Sequence, residues 1–229
     1  LVPPRRPAAE LLDGDGLSPE EIEESLSDIR FVHRYLGGYA AAEREILPLL
    51  TAERSGSFSL LDVGCGCADL SLHLARKARQ RGVQIRIKAL DLQISHLVAA
   101  RRICRDLPAV SANVFSLPFA DRSFDWVLSS LFFHHFSPEE NARILREMAR
   151  LSRRAFFVLD LSRHRIAHAL IRGLGPLFFS SQVSIHDGSA SVAQAYTREE
   201  MEAIAARAGL SRFNVRRVRP FRLSLVGRP

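Results

Sequence analysis

The sequence predicts an α/β fold, an open and mostly parallel sheet with helices on both faces. Three observations carry that expectation. Strand-like apolar segments alternate with helical ones from residue 57 onward, the order that parallel βαβ units require. A glycine-bearing turn, Gly64-Cys65-Gly66, follows the first strand. The segment Ala155 to Leu161 is apolar apart from one aspartate, as a strand covered on both faces should be.

The elements follow in order. Residues 1–16 are rich in Pro, Arg and Gly and read as a flexible tail. Ser18-Pro19-Glu20-Glu21 is a capping box with proline at the first helical position. It opens a helix to about Tyr35, which Gly37-Gly38 breaks, and a second helix runs from Tyr39 to Glu53. Strands are expected at Ser57–Val63, Val83–Leu90, Ala109–Val114, Phe124–Ser130 and Ala155–Leu161. Helices are expected at Leu70–Arg81, Ser95–Arg105 and, behind a second capping box at Ser137, up to about Leu151. A third capping box at Thr197 starts a helix ending near Gly209. Arg212 to Val226, divided at Pro220, reads as an antiparallel strand pair and brings the sheet to seven strands. Residues 162–196 break the rhythm. They read as a helical piece, Ile166–Ile171, followed by a loop with Gly173, Gly175, Pro176, Phe178 and Phe179. The organisation expected is a tail (1–16), a helical cap (17–56) and an α/β domain (57–229) with a lid at 162–196.

Composition excludes several classes. The chain of 229 residues is long enough for a full core. No apolar run approaches the roughly 20 residues of a membrane span, and Leu1–Glu10 has no apolar signal region. The formal charge is +7 and almost all of it is arginine, Lys77 and Lys88 being the only lysines. Arg216, Arg217, Arg219 and Arg222 cluster near the C-terminus, but aromatic and Arg residues do not alternate there in a base-stacking pattern, so a solvated face is expected and no nucleic-acid partner. Three cysteines, an odd and low count, suit a reducing, cytoplasmic setting. Cys65 and Cys67 have no second Cys/His pair at zinc spacing, and no metal is expected.

The chemistry centres on Leu61-Asp62-Val63-Gly64-Cys65-Gly66-Cys67-Ala68-Asp69. A Gly-x-Gly at a strand end suits a dinucleotide site, another nucleoside site or a tight turn. Three features separate those readings. Asp69 stands where a pyrophosphate-binding fingerprint wants glycine, and its carboxylate would repel phosphate. Asp62, two residues before the first glycine, suits a cationic ligand. Asp91 ends the second strand beside the turn, where a carboxylate can accept both ribose hydroxyls.

With Asn113-Val114, Leu117-Pro118-Phe119 and Ser123-Phe124-Asp125 added, the sequence resembles the class I S-adenosylmethionine-dependent methyltransferases. Within them it is most similar to the branch of quinone-biosynthesis and small-natural-product enzymes, over roughly residues 58–161. The resemblance implies a Rossmann-like sheet and S-adenosylmethionine as cofactor, with S-adenosylhomocysteine as product. It further implies that Gly64, Cys65 and Gly66 cradle the methionine part, near Asp62 and Ser130. Asp91 would hold the ribose and Leu92 would pack on the adenine. Asn113, in place of the usual Asp, would accept from the adenine amino group, and Val114 would offer its backbone N–H. Ala68 replaces a third glycine.

Methyl transfer needs an aligned nucleophile, exclusion of water and, for a hydroxyl, removal of a proton. His134 and His135 after the fourth strand are candidate bases; the same stretch also suits packing beside the cofactor. His186, next to Asp187, is a third candidate, or a turn residue. Tyr35, Phe178, Phe179 and Arg163 are candidate substrate contacts, and an apolar lid implies an apolar or aromatic acceptor. No Asn/Asp-Pro-Pro-Tyr follows strand four and no Pro-Cys pair exists, which disfavours DNA-base amines and cytosine C5. The expected reaction is O-methylation of a small phenol, polyketide or quinol, with C- or N-methylation, or a non-catalytic cofactor-binding protein, as alternatives. A nicotinamide oxidoreductase is disfavoured by Asp69. The sequence is silent on oligomeric state.

Overall fold

The computed structural model describes residues 3–14, 16–52 and 55–229. Strands β1 (Gly56–Val63), β2 (Val83–Asp91), β3 (Ala109–Ser111), β4 (Phe124–Ser130), β5 (Ser152–Leu161), β6 (Phe213–Val218) and β7 (Arg222–Gly227) form one sheet. Its order is β3-β2-β1-β4-β5-β7-β6, with β5, β7 and β6 joined antiparallel and the rest parallel. The order reverses between β1 and β4. That is the switch point at which an open α/β sheet leaves a crevice beyond the carboxyl ends of its strands.

Alternation along the strands divides the core into two layers. Leu60, Ile87, Trp126, Leu128 and Phe157 face one side with α2 (Gly38–Glu45), α3 (Leu47–Leu50) and α4 (Asp69–Arg79). Leu61, Val63, Val127, Phe156 and Val158 face the other with α6 (Pro138–Leu151) and α9 (Arg198–Arg207). Ser18, Ser137 and Thr197 each close a reciprocal capping box, fixing the starts of α1 (Pro19–Tyr35), α6 and α9 where the sequence puts them.

Four details differ from the sequence reading. The helix expected over Tyr39–Glu53 divides into α2 and α3, with Pro48 in the second piece; proline cannot donate to the preceding turn. Glu53 lies outside the described residues. The third strand stops at Ser111, because Asn113 closes its own turn instead. The stretch 162–196 is two helices, α7 (Arg165–Phe178) and α8 (Gln182–Gln194), not a loop. Gly173, Gly175 and Pro176 were breaker signals, yet α7 is amphipathic and packs along α8, and that tertiary packing outweighs propensity. The N-terminal segment, as far as it is described, is bonded to the rest of the chain at Arg5, Ala8, Leu11 and Leu12. α5 (Ile94–Ile103) follows β2 close to expectation.

Candidate active site

The turn after β1 is built on residues with positive φ: Gly64 (+63°), Gly66 (+51°) and Ala68 (+56°). Gly64 is required sterically, since a Cβ there would stand 2.3 Å from the Phe132 ring. Gly66 has room for a methyl, but its φ favours glycine. Ala68 accepts the left-handed conformation at a strain cost of order 1 kcal/mol.

Asp91 ties this turn to the end of β2. One carboxylate oxygen accepts the Gly66 N–H at 2.9 Å; the other accepts the Gln93 N–H at 3.0 Å and lies 3.3 Å from His96 Nδ1. His96 is buried, and its Nε2 has no hydrogen-bond partner among the described residues. Behind the turn, Asp62 is buried with Oδ1 unpartnered. Burial, helped by the charges of Asp69 and Asp91, pushes its pKa up to about 7 against the bond from Ser71.

That shift has a sign. Between the ordinary carboxyl pKa near 3.8 and about 7, the folded chain holds a proton on Asp62 that the unfolded chain has released. Stability therefore falls as pH rises through this window. The Asp62→Asn variant is expected to show a flatter melting profile between pH 4 and pH 8. It should also melt above the parent at pH 8, the gain having a ceiling of about 4 kcal/mol. A variant less stable than the parent at pH 8 would mean that the Asp62 charge is compensated.

A cavity of about 170 Å3 opens beside this turn, at the carboxyl edge of β1, β2 and β4. Gly64, Gly66, Asp91 and His96 form one wall; Leu131, Phe132, His134 and His135 form a second. Leu26, Ile29 and Val32 of α1, Ile171 of α7, Phe179 just after it and Val192 of α8 supply the apolar remainder. Glu10, Leu12 and Asp13 of the N-terminal segment also reach the cavity. The segment is fixed by Arg5, which donates to the carbonyls of Gln194, His134 and Phe136 and stacks over Tyr196. The Leu11 and Leu12 N–H groups donate to the Asp187 carboxylate, each at 2.9 Å.

The histidine pair is held by carboxylates. Asp160 Oδ2 accepts the N–H groups of Phe132, Phe133 and His134, and its Oδ1 meets His134 Nδ1 at 2.7 Å. His134 Nε2 faces Glu10 at 3.4 Å. Burial alone would depress His134, but the two carboxylates outweigh it and its pKa rises to about 10. Glu10 is likewise lowered, its burial outweighed by His134, His135 and Ser191. His134 is thus an imidazolium at neutral pH, with no lone pair for a substrate proton. As a general base it is corrected by its own ion pairs. His135 sits beside it, with Nδ1 at 2.8 Å from Asp13. Glu10, His134 and His135 bring one possible ligand atom each within 4.8 Å of the others, the spacing of a cation site; here Glu10 pairs with His134, and His135 Nε2 stands 3.9 Å from the same carboxylate.

The structure gathers part of the expected site. Gly64, Gly66, Asp91, His134, His135 and Phe179 line the cavity. Cys65, Asp62 and Val114 are buried outside its lining, and Ser130 ends β4 outside it too. Leu92 is exposed, and the Asn113 carbonyl oxygen already accepts the Phe115 N–H, a turn role. Tyr35 is 63% exposed at the end of α1, away from the cavity. His186 is exposed and pairs with Asp187 outside the cavity, which removes it as a base. Arg163 is buried against Glu200 at 2.6 Å and the carbonyls of Pro3 and Ala195, a brace and not a substrate contact. Phe178 is half exposed and stacks on Phe31. Sequence reasoning missed His96, Phe132 and the N-terminal carboxylates. His96 carried a signal, a histidine one helical turn past the Asp91 strand end.

Residues 60–155 match the family described as a methyltransferase domain. A ubiquinone/menaquinone biosynthesis C-methyltransferase of Rickettsia prowazekii is 34% identical over 74 residues, 30% of each chain. A demethylmenaquinone methyltransferase of Thermotoga maritima is 33% identical over 95 residues, 42% of this chain and 39% of that one. The match therefore spans about a third of the length of these relatives. Among solved structures, a SAM-dependent methyltransferase from Aquifex aeolicus superposes with a TM-score of 0.63 at 16% identity, covering 93% of this chain and 98% of that one. The magnesium protoporphyrin IX methyltransferase of Synechocystis, solved with bound SAH, superposes with a TM-score of 0.59 at 17% identity, covering 95% and 91%. Residues 60–155 thus match a methyltransferase-domain family, and the sheet has the Rossmann-like fold of the solved S-adenosylmethionine-dependent methyltransferases it superposes on.

Proposed function

We propose that this chain binds S-adenosylmethionine in the cavity beside the Gly64–Gly66 turn and transfers its methyl group to a small apolar or aromatic acceptor. The observation that carries the reading is the junction of the turn after β1 with the end of β2, where the Asp91 carboxylate and the Gly66 N–H meet at the cavity wall. The residues fit such a cofactor. Asp91 can accept from a ribose, the buried and unpartnered His96 Nε2 awaits a polar partner, and the carboxylates around the turn suit a cation better than a phosphate. Leu92 and Asn113 stay assigned to the adenine on the resemblance alone. When bound, the cofactor supplies a sulfonium methyl open to in-line displacement.

The chain's own groups then orient and exclude water. The apolar wall of Leu26, Ile29, Val32, Ile171, Phe179 and Val192 suits an acceptor with an apolar body. With His134 held as a cation and His96 facing Asp91 on the cofactor wall, His135 is the cavity histidine left to receive a hydroxyl proton. Transfer to oxygen forms one C–O bond, breaks the methyl–sulfur bond and sends the hydroxyl proton to that base. A second reading, transfer to carbon, is favoured by the quinone-pathway names of the relatives above.

Titration calorimetry with S-adenosylhomocysteine and NAD tests the cofactor. Binding of the first and not the second is expected; the reverse would end the reading. Labelled cofactor with a panel of phenols and quinols, followed by product NMR, separates O–CH3 from C–CH3.

A further inference from the structure

A second cavity, of about 250 Å3, lies against the first and shares Val32, Leu161, Ile171, Phe179 and Val192 with it. Its lining is apolar except for one residue, Arg222 at the start of β7. Arg222 is 2% exposed, the largest fully buried side chain among the described residues, and its Nε and Nη1 have no hydrogen-bond partner there.

A buried guanidinium left like this is costly. An unpaired charge loses several kcal/mol of hydration, and arginine carries five donors that want acceptors. The carboxylates that act on it through space are already used. Asp160 is taken up by His134 and by four backbone N–H groups, those of Phe132, Phe133, His134 and Leu161. Asp69 is taken up by His33, Tyr39 and the Cys67 thiol. Burial accordingly pulls the Arg222 pKa down to about 10, against those two charges. A cationic donor thus lies buried at the wall of an apolar chamber with no hydrogen-bond partner among the described residues.

The chamber opens toward an apolar face. Ile166, Leu170, Leu174 and Leu177 recur every three or four residues along α7 and are 42–75% exposed, with Phe178 beside them. Leu170, Leu174 and Phe178 also line the cavity, so the stripe runs into its mouth.

We propose that this second cavity is the seat of an amphiphilic carboxylic acid, its carboxylate paired with Arg222 and its apolar body leaving along the α7 stripe. A carboxylate is the partner that a planar guanidinium fork matches bidentately. The shared wall puts such an acid next to the cofactor cavity. It is therefore the class of acceptor, a proposition that rests on the methyl-transfer reading; the seat itself does not.

The test uses the full chain without cofactor, so that its failure is distinct from a failure of cofactor binding. Decanoate and 4-phenylbutyrate are titrated by calorimetry at pH 7.5, against decanol and decylamine. Decanoate is expected to bind at least tenfold more tightly than decanol, and decylamine not at all. Arg222→Met should abolish the preference for the acid over the alcohol while melting no lower than the parent, because it removes an uncompensated buried charge. Leu174→Glu, at an exposed position on the mouth, should weaken decanoate and leave folding unchanged. Equal binding of decanoate and decanol by the parent would overturn the proposal without recourse to any variant. So would an Arg222→Met variant that keeps the preference, or one that melts far below the parent, since the guanidinium would then have an internal partner.

Discussion

Replacing Asp160 with Asn is expected to cost about 3–5 kcal/mol of stability, the scale for breaking one half of a buried ion pair. For a domain of this size that lowers the melting temperature by on the order of 10 °C. Asp160 is fully enclosed at the end of β5, and its two oxygens organise the whole turn after β4. One oxygen gathers three successive N–H groups and the other holds His134. An amide keeps an acceptor oxygen but loses the charge and turns an N–H2 toward either His134 or the backbone donors. The effect is pH-dependent with a defined sign. His134 is raised to about 10, so its contribution is complete below the ordinary histidine pKa near 6.5 and is lost as pH climbs through 10. Asp160 is lowered by His134 and its N–H donors in spite of burial, so its contribution is present above the ordinary 3.8 and is lost in acid. Parent and variant should therefore differ most between about pH 4 and pH 6.5 and converge toward pH 10. Urea melts at pH 5.5, 7.5 and 9.5 measure this. A gap independent of pH would mean that the backbone bonds, and not the ion pair, carry the stability.

The same cluster shows what the sequence makes legible. The strand–helix alternation, the three capping boxes and the glycine turn are local signals, each written within a few residues. The structure bears them out almost at their expected bounds. Asp91 was also readable, because a strand end beside the turn follows from topology alone. Other features depend on residues far apart in sequence. Arg5 meets His134 and Phe136 across about 130 residues, and Leu11 and Leu12 meet Asp187 across about 175. No local pattern marks such pairs, so the N-terminal segment read as a tail. Arg163 and His186 failed for a related reason. Their place after strand five suggested the cavity, yet each had a carboxylate within reach, and side-chain direction decided the rest. The loop expected after Ile171 is helix through Phe178 because glycine and proline costs of about 1–3 kcal/mol are small beside the packing of α7 on α8.

Asp91 is where the legible part of the site can be tested most directly. The Asp91→Ala variant removes the carboxylate from the cavity wall and leaves the Gly66 and Gln93 N–H groups without their acceptor. If the ribose of the cofactor is held here, two charge-assisted hydrogen bonds are lost, on the order of 2–4 kcal/mol after partial replacement by water. S-adenosylhomocysteine affinity should then fall roughly 30-fold or more. The freed Gly66 N–H lines the cavity and Gln93 is partly exposed, so both can be hydrated and the melting temperature should fall much less than for the Asp160 variant. Asp91→Asn keeps one acceptor oxygen and should fall between parent and alanine in affinity. His96 refines the test, because its Nδ1 faces the same carboxylate and its Nε2 faces no described partner. His96→Phe should preserve the apolar packing and weaken the cofactor by less than Asp91→Ala. Calorimetry and melting on the three variants separate a binding role from a scaffolding one. Affinity that survives in Asp91→Ala while the fold is intact would move the ribose to another wall of the cavity. Affinity and melting that collapse together would make Asp91 the clasp between β1 and β2 and nothing more.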